Sequence, residues 1–314
     1  MAADRGHPKT APEKTPDAPR QAADDHDIMT VFAPPFALLL LGLAPSATSF
    51  APPPRATRAP PRRPFSTSSL RLIKTDILDG TDEAIERSAK FIVDNFWLSS
   101  PQQLLLDDTS AADIPESSYL SLCNVQFADL QEKYGERLTR RKLDALMIAA
   151  LDDGGDLAGI VTLEVAVMDT QTKELMSPST SEFRITQAVA SLGPKQRREF
   201  KNAHVIDIAN ELLPPTQTAV VTLSNLCVSP TVRRKGIAAQ LCGEAERMTR
   251  DSLGYSALHL RVESSNEAAK RLYEKIGYDA LFECESPVLR VDANAGGFVE
   301  IDSETTIMKK ELSR

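Results

Sequence analysis

The chain has 314 residues, 42% of them hydrophobic and 25% charged, the make-up of an ordinary soluble globular protein. A net charge of −8 and a pI near 5.2 argue against an electrostatic nucleic-acid binder, which would carry a basic stripe. The four cysteines, Cys123, Cys227, Cys242 and Cys284, form no CxxC pair. They read as buried small hydrophobes in a reducing compartment, with no zinc site and no disulfide framework.

Met1–Asp27 is polar and rich in Pro and Ala, and it carries too little apolar surface to fold. From Met29 to Lys74 there is no Asp or Glu, although acids make up 44 of the 314 residues. Chance would place about six there, so the gap is a compositional signal. Phe36–Ala44 is an apolar run of signal-peptide length, well short of the roughly twenty residues a bilayer span needs. No stable membrane insertion is expected from it. An Arg/Pro/Ser stretch follows, with Arg55, Arg58, Arg62, Arg63 and Arg71. The whole resembles the bipartite plastid presequences of algae with secondary plastids, with Phe50 after small residues at the join and Met29 as the true start. Two other readings stay open. Arg63–Ser68 also looks like the end of a mitochondrial presequence, and the stretch also reads as a polar tail with an accidental apolar patch. Residues 1–75 are therefore assigned as leader, and 76–314 as one domain of about 240 residues.

Asp82–Trp97 has the spacing of an amphipathic helix, with Ile85, Ala89, Ile92, Val93 and Phe96 recurring. Ser117–Tyr134 is a second, with Leu120, Phe127, Leu130 and Tyr134 on one face. Leu143–Leu151 and Leu157–Met168 are strands around the turn Asp152-Asp153-Gly154-Gly155. Asp169–Thr216 contains four prolines and a basic cluster, and reads as an insertion with a short helix near Ile206–Leu212. Thr218–Val228 is a strand and Lys235–Asp251 a helix ended by Gly254. Ala257–Glu263 is the next strand and Asn266–Ile276 the next helix, capped by Gly277. Tyr278–Cys284 and Thr305–Lys310 are two closing strands.

The chemistry concentrates in two segments. The first runs from Leu226, Cys227 and Val228, where a strand ends, through Arg233, Arg234, Lys235 and Gly236 to Ile237 and Ala238, where a helix begins. Amides at a helix start, the helix dipole and three cations suit a pyrophosphate, and Gly236 puts no side chain between ligand and backbone. The Walker and dinucleotide-binding fingerprints each require a second glycine that is not here. The second segment opens at Asn266, a natural N-cap. At 100° per residue Asn266, Ala269 and Tyr273 lie within about 60° of one another, so an amide, a small residue and a phenol share one stripe. Packing alone more often places Leu or Ile on such a stripe.

Val228–Ala238 resembles the R/Q-x-x-G-x-G/A acetyl-CoA loop of the GNAT superfamily, and Asn266–Tyr278 resembles its N-x-x-A-x-x-L-Y-x-x-x-G-F/Y segment. The phrase Leu223–Pro230, the leader and the long insertion are similar to plastid GNAT enzymes that acetylate protein N-termini and lysines. The resemblance implies an α+β, three-layer fold. Its sheet would be mixed and mostly antiparallel, splayed into a V between the strands ending at Val228 and Glu263 and flanked by helices. It also implies acetyl-CoA as co-substrate, no metal, and direct attack by a primary amine. Amides at Cys227 or Val228 would hold the thioester carbonyl, and Tyr273 would protonate the departing thiolate. The strand Glu of ribosomal-protein N-acetyltransferases falls on Arg261 here, a departure that leaves Glu263, two residues along, as the candidate base. The expected acceptors are protein N-termini or lysines. A small-molecule amine and a non-catalytic acyl-CoA-binding module are the alternatives, and the residues leave the oligomeric state open.

Overall fold

The computed structural model describes residues 74–105, 114–135, 145–200 and 203–313. The expected leader thus lies outside the described residues, except for Lys74 and Thr75. The strands are β1 (Lys74–Ile77), β2 (Ala145–Leu151), β3 (Leu157–Asp169), β4 (Glu174–Leu175), β5 (Gln217–Val228), β6 (Ala257–Glu263), β7 (Asp279–Asp292) and β8 (Gly297–Glu311). They form one sheet in the order β1-β2-β3-β5-β6-β8-β7, with β4 paired to the far end of β3. Every described pairing is antiparallel except β5 with β6. The fold is therefore α+β on a mixed, mostly antiparallel sheet, as expected.

Seven α-helices are described: α1 (Asp82–Ile92), α2 (Glu116–Tyr134), α3 (Pro178–Ala190), α4 (Pro194–Glu199), α5 (Val205–Leu212), α6 (Ile237–Asp251) and α7 (Glu267–Lys275). Side chains alternate along a strand, so Val161, Leu163 and Val165 of β3 share a face with Val221 and Leu223 of β5. Ile185, Ile208, Leu241, Ala245 and Tyr273, from α3, α5, α6 and α7, cover that face. On the opposite face Met147, Ile160 and Cys227 meet Ile85, Ile92, Leu122 and Leu130 from α1 and α2. Each such aliphatic side chain contributes roughly 1.5–3 kcal/mol on burial.

Three stretches differ from the sequence reading. The first helix passes at Val93 into a π-helical turn, Val93–Trp97, closed by Leu98 N donating to Val93 O at 3.0 Å. In α2, Leu120 is 54% exposed; the buried side is Ser118, Leu122, Gln126 and Leu130. It is half polar because Gln126 Oε1 accepts from Trp97 Nε1 at 2.7 Å and Ser118 donates to Asn294 O. The closing strands run as a long hairpin, β7 to β8, with Pro287 inside β7. That is allowed because β7 is an edge strand and needs no donor on its free side. The stretch 169–216 is largely helical. Pro178 and Pro194 each sit in a first turn, where proline starts a helix rather than breaks one.

Two features open the sheet at one place. The β3–β5 register shifts so that Ile160 faces Cys227 while Thr162 faces Ser224. Asn225 takes the extra turn at φ 49°, and its Nδ2 donates to Thr162 Oγ1 at 3.1 Å. Such a bulge adds local twist. Meanwhile β5 and β6 pair only over Val221–Leu258, Thr222–His259 and Leu223–Leu260. Beyond Leu223 the two strands part, giving the expected V. Gly159 lets α6 settle against β3 beside this opening, since a Cβ there would lie 2.9 Å from Leu241 Cδ1 and 3.1 Å from Cys227 O. Gly159→Val is expected to cost about 1–3 kcal/mol by overpacking, read as a lower urea midpoint at unchanged slope.

Candidate functional site

Two segments follow the strands of the V and lead into α6 and α7. After Val228 a 3₁₀ turn, Pro230–Val232, leads to Arg233 and Arg234, with Arg234 at φ 66°. Gly236, at φ 85°, then caps α6 with no side chain, and a Cβ there would meet nothing within 4 Å. The left-handed angle and the open space suit a loop that wraps a ligand with its amides. Arg234 and Lys235 are exposed beside it, whereas Ile237 is buried and anchors the helix start. Arg233 turns the other way. Its Nε donates to Val228 O at 2.9 Å, and its Nη2 to Asn95 O and Ser99 Oγ at 3.1 Å each. It therefore ties the loop to the end of the π-helical turn, and two of the three expected cations are left to face solvent.

Asn266 caps α7, its Oδ1 accepting from Ala269 N at 3.1 Å. Asn266, Ala269 and Tyr273 are all buried on one stripe, as the spacing required. The Tyr273 ring packs edge-on against Tyr278, centroids 5.5 Å apart, yet its hydroxyl finds no hydrogen-bond partner among the described residues. A buried hydroxyl left unmatched is uncommon and costs free energy. Burial, with smaller contributions from Cys242 and Tyr278, holds this phenol well above the ordinary tyrosine value, so it stays protonated and is a donor.

Leu226, Cys227 and Val228 are buried, and β3 pairs with Cys227 and Val228 on one side of β5. On the β6 side no strand pairs with β5 past Leu223 among the described residues, so backbone amides there face the gap. Burial pushes the Cys227 thiol up to about 12, against a smaller opposing pull from Arg233. A thiol so held does not supply the thiolate that covalent catalysis needs.

The opposite face of the V holds what sequence reasoning missed. Paired residues share a face, so Glu164 (β3), Thr222 (β5) and His259 (β6) line up, followed by Ser224 and Arg261 two residues on. Glu164, Ala166, Thr222, Ser224 and Arg261, with Leu175–Pro178 leading into α3, line an open-sided cleft. Thr222 Oγ1 donates to Glu164 O at 3.0 Å, and Arg261 reaches across to donate to Leu175 O. Burial first, and the charge of Lys309, push His259 down to about 4, so it is neutral at pH 7. The signal was present as polar residues at alternate positions inside apolar strands, Glu164 within Val161–Val167 (VTLEVAV) and Thr222 and Ser224 before Leu226.

Glu263, two residues beyond Arg261 on β6, is not among these lining residues. Its Oε1 sits 2.7 Å from Arg290 Nη2, a contact of opposite charges rather than an aligned hydrogen bond. Both side chains are nearly buried.

A parallel strand pair opens into a V, with a basic loop after one strand and a buried, unmatched phenol on the helix after the other, an arrangement suited to a donor that carries a pyrophosphate. Residues 194–278 match the model of the Acetyltransferase (GNAT) family. No curated protein matches the chain. Among solved structures, NAA60 of Arabidopsis thaliana with a bisubstrate analogue is 15% identical, over 76% of this chain and 100% of that one, with a TM-score of 0.40. Spermidine N-acetyltransferase SpeG of Vibrio cholerae, as a point variant, is 13% identical over 77% and 96%, at 0.38. PaiA N-acetyltransferase of Thermoplasma acidophilum with coenzyme A is 14% identical over 76% and 99%, at 0.38.

Proposed function

We propose that the protein transfers acetyl from acetyl-CoA directly to a primary amine, and that its acceptors are protein N-terminal α-amines or lysine side chains. One observation carries the reading: the two strands of the V run into the Gly236 loop and into the helix that carries Tyr273, both helices packing on one face of the sheet, and a polar cleft opens on the other. The donor fits the first side. Open space at Gly236, with Arg234 and Lys235 beside it, suits the pyrophosphate, and the unmatched Tyr273 hydroxyl suits the sulfur. The amine enters from the cleft and its nitrogen bonds the thioester carbon. The C–S bond breaks, and the sulfur takes the Tyr273 proton. The raised Cys227 thiol is consistent with direct transfer and no acyl-enzyme.

The acceptor class follows from the cleft's charges. Among its described lining residues Glu164 is the one carboxylate and Arg261 the one cation. A polyamine, with several ammonium groups, calls for several carboxylates, whereas a peptide end brings one. The full chain is expected to acetylate an N-terminal or lysine-bearing peptide at least tenfold more efficiently than spermidine, compared by kcat/KM. The reverse order would favour the small-amine reading. Acetyl-CoA binding with no turnover on any amine would favour the non-catalytic one.

We also propose, on the acid-free stretch Met29–Lys74, that the protein works in the plastid. Residues 1–75 fused to a fluorescent reporter are expected to deliver it there, and delivery to mitochondria would overturn this.

A further inference from the structure

The cleft contains a carboxylate that the family loop and the Asn266–Tyr278 segment do not involve. Glu164 sits mid-strand in β3 at 3% exposure, where an acid is costly unless it is paired. It is paired from one side only. From α2, Tyr134 donates its hydroxyl to Glu164 Oε1, and Lys133 Nζ lies 3.9 Å from the same oxygen. Lys133 is itself held by Asp129 at 3.0 Å. Burial opposes the charge on Lys133, but Asp129 and Glu164 outweigh it and keep the lysine above its ordinary value. Burial, and then the charge of Glu164, keep the Tyr134 phenol well above its ordinary value, so it remains a donor. Across the cleft from β6 stands Arg261, in the place where the resemblance would put a carboxylate.

Both contacts use Oε1. Glu164 also lies on the wall of the cleft, directly across from Thr222 and two residues short of Ser224, close to where β5 and β6 begin to part. Glu263, the other acid on this face of the sheet near the V, is taken up by Arg290.

We propose that Glu164 is the catalytic group that receives the incoming ammonium and takes its proton, with Tyr134 and Lys133 holding the carboxylate in place. The proposal rests on the acetyl-transfer reading above. Two protons leave the nitrogen. The first passes from the ammonium to Glu164 and on to solvent, freeing the lone pair that attacks the thioester. The second leaves the adduct as the amide forms, and balances the proton that Tyr273 gives to sulfur. The products are the N-acetyl amine, free CoA thiol and one proton. Arg261 opposite Glu164 repels a second positive charge, which suits an acceptor with one cationic end.

The test compares the full-length wild type with Glu164→Gln on a lysine-free peptide with a free α-amine, between pH 6 and 8, alongside acetyl-CoA affinity and melting temperature. At pH 6 the variant is expected to lose about 10²–10⁴ in kcat/KM with acetyl-CoA affinity unchanged. The deficit should narrow by about tenfold per pH unit as solvent takes over removal of the proton from an amine of pKa near 8. A deficit below about threefold, or one equal at every pH, would overturn the proposal. If the Gln variant melts lower than wild type, Glu164→Asp carries the same comparison. It keeps the charge and should run parallel to wild type across pH, and a rate that climbs with pH in the Asp variant would equally overturn the role. A wild type that binds acetyl-CoA and acetylates no amine removes the acetyl-transfer reading itself. An active wild type with an indifferent Glu164→Gln removes only Glu164.

Discussion

Tyr273→Phe is expected to lower kcat by about 10²–10⁴ while the Michaelis constants for acetyl-CoA and acceptor move little. The substitution keeps the ring, and with it the edge-on packing against Tyr278 and the buried stripe of α7. It removes a hydroxyl that has no partner among the described residues, so no protein hydrogen bond is lost and the fold should be as stable or more so. The whole effect then falls on the interaction made as negative charge gathers on sulfur. Because burial holds this phenol well above the ordinary tyrosine value, wild-type kcat should show no decline from its ionisation below about pH 10. Rapid-quench turnover on wild type and variant reads both points. Equal rates where chemistry is limiting would strip Tyr273 of its role.

Gly236→Asp is expected to weaken acetyl-CoA binding by at least about a hundredfold with little change in melting temperature. At φ 85° the position is left-handed, which Asp tolerates better than most residues, and a Cβ there meets nothing within 4 Å. The fold therefore survives. The new carboxylate stands among the amides at the start of α6, where a pyrophosphate would otherwise sit, and repels it. Losing two charge-assisted hydrogen bonds, at about 1.5–3 kcal/mol each, already corresponds to a hundredfold or more. Calorimetry showing unchanged affinity would remove the anion-loop argument.

What the sequence made legible followed from strong local signals. The 3.6-residue spacing of α6 and the Asn266 cap of α7 placed those helices to within a residue or two, and the apolar runs placed β5 and β6. The stripe of Asn266, Ala269 and Tyr273 is buried as the helical geometry required. Other features depended on contacts between distant segments. No local pattern announces that Arg233 turns away from the loop to Asn95 and Ser99, or that Arg290 reaches Glu263. The buried side of α2 was misjudged because Gln126 and Ser118 are satisfied by Trp97 and Asn294, far off in sequence. Glu164 was readable only as an acid inside an apolar strand, and its meaning required knowing that Thr222, Ser224 and Arg261 share its face.

The central claim, direct acetyl transfer to an amine, is tested most directly by a single turnover of the full-length protein with acetyl-labelled acetyl-CoA and an N-terminal peptide. Label is expected to pass from acetyl-CoA to the peptide amine with none resting on the protein at any time point, and free CoA thiol should appear at the same rate as acetylated peptide. Label that stays on acetyl-CoA after binding, or that accumulates on the protein before reaching the peptide, would contradict it.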